Sequence, residues 1–383
     1  MKKTIIVVCG AGMVSGKEKI MLLIMRGLKE NGYNIFCITS FWCHSDFEIL
    51  LNKYQISFVK LRLGFISKTF DAAAIRMTLH QLIHFPLLLV RFRKVTITQK
   101  PFAIIHSNFH HLFLLYPALS KKYRNIYHSH ESISNSNFYK KLFHLFNNKI
   151  DWFVSVSHYV TNKMKLLGLP EEKLITIQNG IYEPSAQTNQ GNQTVKQNSN
   201  TFNIGIIGQI TDWKGHEDLI KALALLNSDI RKKIKLYIFG KGIESFIQSL
   251  KSLITQLRLE DIIIWKGYIK NRDEIYSILN LVCIPSRSEE PFATSALEPG
   301  IYSIPVIVTD RGGLPEIVED GINGWVVPMQ SPEIVAAKIE WMLEHPTECI
   351  NMGKEHHKKL VNLFTHRRFV NDWIHLISKT QNN

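Results

Sequence analysis

The sequence predicts two doubly wound α/β domains in series, and three observations carry that expectation. Thirteen short runs rich in Val, Ile and Leu alternate with longer helical patterns from one end to the other, and each run is apolar throughout rather than at every second residue. Strands of that kind belong to a parallel sheet covered by helices on both faces. The alternation breaks once, at residues 183–202, "EPSAQTNQGNQTVKQNSNTF", where Gln, Asn, Ser and Thr leave almost nothing apolar to bury. A chain of 383 residues, 45% hydrophobic and 20% charged, is long enough for two such domains and has the composition to give each a core.

The first domain, residues 1–182, holds "TIIVV", "NIFCIT", "ISFVKL", "FAIIHS", "NIYHS", "WFVSVS" and "LITIQ". The polar stretch 183–202 is the linker or a long exposed loop beside it, and residues 203–365 form the second domain with "NIGIIG", "KLYIFG", "DIIIWKG", "LVCIPS", "IPVIVT" and "GWVVP". Residues 366–383 form a last helix, with Phe369, Trp373, Ile374 and Ile377 at helical spacing, able to pack on either domain. Lys2 and Lys3 ahead of "TIIVV" mimic a secretory leader, but the apolar run is short and breaks at Gly10, so it reads as a buried strand. No apolar segment reaches the roughly 18 residues of a membrane span. The five cysteines show no C-x-x-C spacing and sit mostly in apolar runs, which fits a reducing cytoplasm.

Forty-six Lys and Arg against 32 Asp and Glu give a net charge of +14, which favours a polyanionic partner: nucleic acid, anionic lipid or nucleotide phosphates. The basic residues are spread along the chain rather than clustered among aromatics, which argues against nucleic acid. Residues 71–99 read as helical with a kink at Pro86, carrying Arg76, His80, His84, Arg91, Arg93 and Lys94 beside Leu79, Leu82, Ile83, Leu87 and Leu88. This segment is either a peripheral contact with an anionic membrane, at the inner membrane surface, or a core-packed helix with a solvated basic edge.

Two loops compete for the nucleotide. "VVCGAGMVSGKEK", residues 7–19, fails as a phosphate loop, since Ala11 and Glu18 stand where Gly and Ser or Thr are needed. It fails as a dinucleotide fingerprint because Ser15 holds the third glycine position. What remains is a turn in which Gly16 allows a close backbone approach. The more informative segment is residues 286–328, "SRSEEPFATSALEPGIYSIPVIVTDRGGLPEIVEDGINGWVVP". Phe292, Ala293 and Thr294 would form a helix N-terminus whose free N–H groups suit a diphosphate. Glu298 could accept from vicinal hydroxyls of a ribose, and Glu290 could orient those of a sugar. Two acids eight residues apart are equally, taken alone, two solvated helix acids.

With "IPVIVTD", "GGLPEIV" and "GINGWVVP" following in order, the segment closely resembles the C-terminal domain of the family 4 glycosyltransferases, retaining enzymes of the GT-B fold. The likeness extends, more weakly, over nearly the whole chain. It implies two Rossmann-like domains facing across a cleft and transfer of a hexose-type sugar from a UDP- or GDP-sugar to a glycan or lipid-linked acceptor. It implies no metal and no cofactor. In "IGIIGQITDWKGHEDLIKALALL", Lys214 matches a diphosphate-binding lysine, while Gln209 replaces the usual arginine. Gly267, in "IIIWKGYI", lies where the backbone pairs with the base, and Gly16 lies near the donor diphosphate. In "NIYHSHES", His130 matches the histidine facing the reacting sugar, and His128 is expected on the opposite face. Arg287 and Arg311 are further candidates for stabilising the leaving group. His106, His110 and His111 lack the carboxylate partner a metal site would use.

Three departures leave a second reading open, a non-catalytic nucleotide-sugar-binding GT-B protein: Gln209 for Arg, Ala293 for Gly, and Pro299 inside the helix, where it is expected to kink or shorten the helix at Glu298. Ala293 is compatible with phosphate binding only at negative φ.

Overall fold

The computed structural model describes residues 2–10, 14, 16–64, 72–182 and 201–379. Most of the polar stretch expected as the linker, residues 183–200, lies outside the described residues, as do Ala11, Gly12, Met13 and Ser15 of the first loop. The chain divides into two compact units, Met1–Asn179 with His366–Asn383, and Gly180–Thr365.

The first unit is built on β1 (Thr4–Val8), β2 (Asn34–Ser40), β3 (Ser57–Leu61), β4 (Ala103–His106), β5 (Arg124–Ser129), β6 (Trp152–Ser155) and β7 (Leu174–Thr176). They form one parallel sheet in the order β3-β2-β1-β4-β5-β6-β7. Ile5 to Val8 and Ala103 to Ile105 are fully buried, because helices cover both faces of the sheet. The strand order reverses between β1 and β4, where Val8 pairs with His106, and the loops leaving those two strands diverge there.

The second unit repeats the plan with β8 (Phe202–Ile207), β9 (Ile234–Phe239), β10 (Ile263–Gly267), β11 (Leu281–Ile284), β12 (Val306–Thr309) and β13 (Gly324–Val327), in the order β10-β9-β8-β11-β12-β13. Its switch point lies between β8 and β11. Ile204, Leu236 and Leu281 of the sheet bury themselves against Leu219 and Leu223 of the helix His216–Leu225.

The last helix, His366–Lys379, belongs to the first unit and packs on the helix Gly16–Glu30. Val370 occupies the space over Gly27 that a side chain there would need, and Trp373 is fully buried. Arg368 ties the helix down by donating to the Gln178 carbonyl at 2.7 Å. The segment expected to be one kinked helix is two, Ala72–Ile83 and Phe85–Gln99, with Pro86 in the first turn of the second, where a missing N–H is tolerated. Among the described residues, no helix is long and apolar enough to cross a membrane.

Candidate functional site

In the second unit, the loops leaving β8 and β11 meet at the switch point and bring two of the predicted residues together. The chain after β8 makes a short helical turn, Asp212–Lys214, that ends on Gly215 at φ +72°. A Cβ at Gly215 would sit 1.8 Å from the Pro285 carbonyl oxygen, so only glycine lets this turn lie against the end of β11. Lys214 is thereby aimed at Glu290, with Nζ 2.5 Å from Oε1, and Ser286 Oγ donates to the same oxygen at 2.7 Å. Gly312 closes the other side at φ +65°, where a Cβ would lie 2.1 Å from the Glu290 carbonyl oxygen, and Gly313 N–H donates to that carbonyl at 2.7 Å. Gly215→Ala is therefore expected to destabilise the second unit by about 3 kcal/mol, through a left-handed alanine and a backbone clash. Chemical denaturation of the variant checks this, and the same change should displace Lys214.

The helix expected to carry the phosphate-binding end runs Thr294–Ile301. Ala293 precedes it at φ −77°, ψ 116°, a conformation alanine holds without strain, and no side chain caps the N-terminus. Its free N–H groups are those a diphosphate would take. The Phe292 ring packs 5.6 Å from Phe364, so only its backbone could serve a ligand. Of the two effects expected of Pro299, a kink or a shortening at Glu298, the shortening is corrected: the helix continues to Ile301. Pro299 and Gly300 are buried there, and Gly300 lies against His356 and Leu360 of the helix Pro346–Leu363. That packing compensates for the backbone hydrogen bond the proline cannot make.

Glu298 is held on both oxygens. Tyr276 Oη donates to Oε2 at 3.0 Å, and Arg272 Nε lies 3.2 Å from Oε1. Burial, with the Glu298 charge beside it, raises the Tyr276 hydroxyl well above its ordinary pKa and keeps it a donor. The remaining lone pairs of a carboxylate fixed in this way suit a pair of vicinal hydroxyls. Gly267 ends β10 at φ +66°, exposed, after a register shift between Trp265 and Gly267, and its carbonyl accepts from Gly240 N–H at 2.8 Å. Gln209 is exposed.

Arg287 is not free to meet a phosphate, which corrects its candidacy. It grips Asp218 with two bonds, Nε to Oδ2 at 2.7 Å and Nη2 to Oδ1 at 2.6 Å, and also bonds Asp212 and Glu217. Hydrogen bonding to Asp218 is the chief reason its pKa lies above the ordinary arginine value. Its N–H also donates to the Trp213 carbonyl at 2.8 Å, so Arg287 anchors the turn that presents Lys214. Arg311 is half-buried beside Asp310, at 3.6 Å.

In the first unit, Gly16 is the exposed first residue of its helix, and Lys17 lies 3.7 Å from the buried Glu18. His130 follows β5, and its Nε2 lies 3.1 Å from His128 Nδ1. The two rings therefore share a face. Positions two apart on an extended chain point to the same side, so the expectation of opposite faces is corrected: His128, on β5, and His130, just after it, project together. His128 is buried edge-on against Trp373, with ring centroids 4.9 Å apart. Burial drives the His130 pKa well below its ordinary value, aided by His128 and Lys17, and drives His128 to about 3. His106 and His111 are buried and likewise lowered by burial, to about 4 and about 3, while His110 is exposed. Ser286, Tyr276 and Arg272 touch predicted residues and were missed from sequence. Only Ser286 stood inside one of the motifs, and nothing local marked the other two.

Two family models match, one described as Glycosyltransferase Family 4 over residues 14–183 and one as Glycosyl transferases group 1 over residues 189–359. An uncharacterized glycosyltransferase of Methanocaldococcus jannaschii is 29% identical over 188 residues, 46% of this chain and 47% of that one. A Salmonella typhimurium protein provisionally named as a colanic acid biosynthesis glycosyltransferase is 26% identical over 197 residues, 49% of this chain and 47% of that one. The chain thus spans about half the length of these curated relatives. The crystal structure of Anabaena HepE in complex with UDP superposes with a TM-score of 0.80 at 18% identity, covering 98% of this chain and 100% of that one. A glycosyltransferase from Rickettsia africae gives 0.80 at 18% identity, covering 100% and 99%. The fold is GT-B.

Proposed function

Because the chain belongs to the family 4 and group 1 glycosyltransferases, we propose that it is a retaining, metal-independent glycosyltransferase. It would move a hexose-type sugar from a UDP- or GDP-sugar to a glycan or lipid-linked acceptor in polysaccharide or lipopolysaccharide biosynthesis. The observation that carries this is the Lys214–Glu290–Ser286 cluster at the switch point of the second sheet, where open α/β folds bind their ligands. Two of the relatives' names, a colanic acid glycosyltransferase and an enzyme complexed with UDP, support the substrate class.

In this reading the N–H groups at Ala293 and Thr294 and the Lys214 ammonium hold the diphosphate, and Glu298 takes the ribose hydroxyls. The base would pair with backbone near Gly267, and Gly16 would let the chain approach the diphosphate. Glu290 orients the sugar. The bond from the anomeric carbon to the β-phosphate oxygen breaks as the acceptor oxygen adds on the same face, and the acceptor proton passes to the leaving phosphate. His130, neutral at pH 7 because of its burial, is a weak base and serves as hydrogen-bond donor to a sugar hydroxyl. Ala293 at negative φ and an unbroken helix past Pro299 favour an active enzyme over a non-catalytic sugar-nucleotide binder.

The acceptor side also favours a peripheral contact with an anionic membrane. Ile83, Ile97 and Val90 are 74%, 71% and 64% exposed, with Leu79, Leu82 and Leu87 exposed beside them. Residues 72–100 contain Arg76, Arg91, Arg93, Lys94 and Lys100 and no acid. A basic surface with that much exposed aliphatic area fits anionic lipid headgroups. Vesicles containing phosphatidylglycerol should retain the protein at low salt, and Ile83→Glu together with Val90→Glu should release it.

The experiment for the proposed reaction is a panel of UDP-, GDP- and ADP-sugars, read by thermal stabilisation and slow donor hydrolysis. One base is expected to raise the melting temperature and to be hydrolysed with retained anomeric configuration. Binding without hydrolysis or transfer would mark a non-catalytic protein, and no stabilisation by any nucleotide sugar would remove the donor site.

A further inference from the structure

Lys214 and Glu290 satisfy each other, yet a nucleotide sugar would engage each of them with a different part. We propose that this ion pair makes the site select an intact nucleotide sugar over the free nucleoside diphosphate, so that transfer itself triggers product release. The inference rests on the donor-site reading above.

Both side chains are largely withdrawn from water, Lys214 at 16% and Glu290 at 8% exposure. Lys214 and Ser286 both donate to Glu290 Oε1, and Oε2 accepts no hydrogen bond from the protein among the described residues. A diphosphate reaching Lys214 either draws the ammonium away from Glu290 or shares it. In the first case Glu290 keeps a buried negative charge with one hydroxyl to solvate it. In the second, carboxylate and phosphate face each other across a single ammonium. Either outcome opposes binding.

A sugar on the β-phosphate changes both terms. It removes the second ionisation of the terminal phosphate, close to one negative charge at pH 7. It also supplies hydroxyls that can donate to Glu290 Oε2 and replace what Lys214 withdraws. The free diphosphate has neither advantage, so Glu290 penalises the product more than the donor. Two positions that could relieve the penalty do not: Arg287 is committed to Asp212, Glu217 and Asp218, and neutral Gln209 stands where the resemblance would place an arginine.

Calorimetric titration of UDP, UDP-glucose, GDP and GDP-mannose into the wild type and Glu290→Gln tests this. Glutamine keeps the shape and can still accept from Ser286 and Lys214, but removes the charge. For the base that binds, the wild type should prefer the sugar-linked form by tenfold or more. Glu290→Gln should bind the free diphosphate at least fivefold tighter than the wild type does, with the sugar preference falling close to one. A residue that only shaped the site would weaken both ligands alike, and that result would overturn the proposal. Equal wild-type affinity for donor and free diphosphate would overturn it too while leaving the donor site standing. If no compound binds the wild type, the donor-site reading fails and this inference with it. Should Glu290→Gln not fold, Glu290→Met carries the same comparison.

Discussion

Lys214→Met is expected to lower kcat/KM for transfer by on the order of a thousandfold, the size of effect seen when a preorganised group facing developing charge is removed. The leaving diphosphate gains negative charge as the anomeric bond breaks, and Arg287, tied to three acids, cannot supply the missing cation. Stability should fall as well, by about 3 to 5 kcal/mol, because Glu290 is left buried with an unpaired charge. The two losses separate in the double variant Lys214→Met with Glu290→Gln. Removing the stranded charge should restore most of the melting temperature while transfer stays absent. Recovery of activity in the double variant would mean that Lys214 serves the fold alone.

Mild acid is expected to unfold both units. His106, His111 and His128 in the first, and His216 and His356 in the second, are buried and held neutral, with pKa values lowered by burial to about 4, 3, 3, 4 and 4. The unfolded chain takes up protons near pH 6.5 and the folded chain does not, so stability is complete above that pH and declines as pH falls. At pH 5 each such histidine costs about 2 kcal/mol, so the three in the first unit cost about 6 kcal/mol and the two in the second about 4 kcal/mol, a large share of the roughly 5–15 kcal/mol that holds a domain folded. Circular dichroism against pH should show an unfolding midpoint between about pH 4 and pH 5.5. His356→Gln, which can still donate to the Ile304 carbonyl, should shift the second unit's transition to lower pH. A protein that stays folded to about pH 3.5 would contradict this account.

The architecture was legible because its signal is local. A strand buried on both faces must be apolar at every position, and "TIIVV" or "LVCIPS" bounded by turn residues admits little else. The donor motif was legible in part, since Glu290, Glu298 and the helix start at Thr294 fall within nine residues of one another. What escaped was set by tertiary contact. The acids that occupy Arg287 lie one βα unit or more away in sequence, at Asp212, Glu217 and Asp218, and no spacing rule links them to it. Tyr276 reaches Glu298 from a separate short helix, Arg272–Tyr276. Pro299 reads as a helix stop, because its accommodation depends on the helix Pro346–Leu363. His128 was misplaced although the signal was local, because positions two apart on a strand share a face rather than oppose each other.

The central claim is that the second unit holds a nucleotide-sugar donor through Glu298, in the helix that follows β11. The most direct measurement is calorimetric titration of the stabilising nucleotide sugar into the wild type and Glu298→Ala. Loss of two charge-assisted hydrogen bonds to the ribose predicts saturable one-to-one binding by the wild type, weakened at least about tenfold in a variant that remains folded. Unchanged affinity in Glu298→Ala would contradict the account.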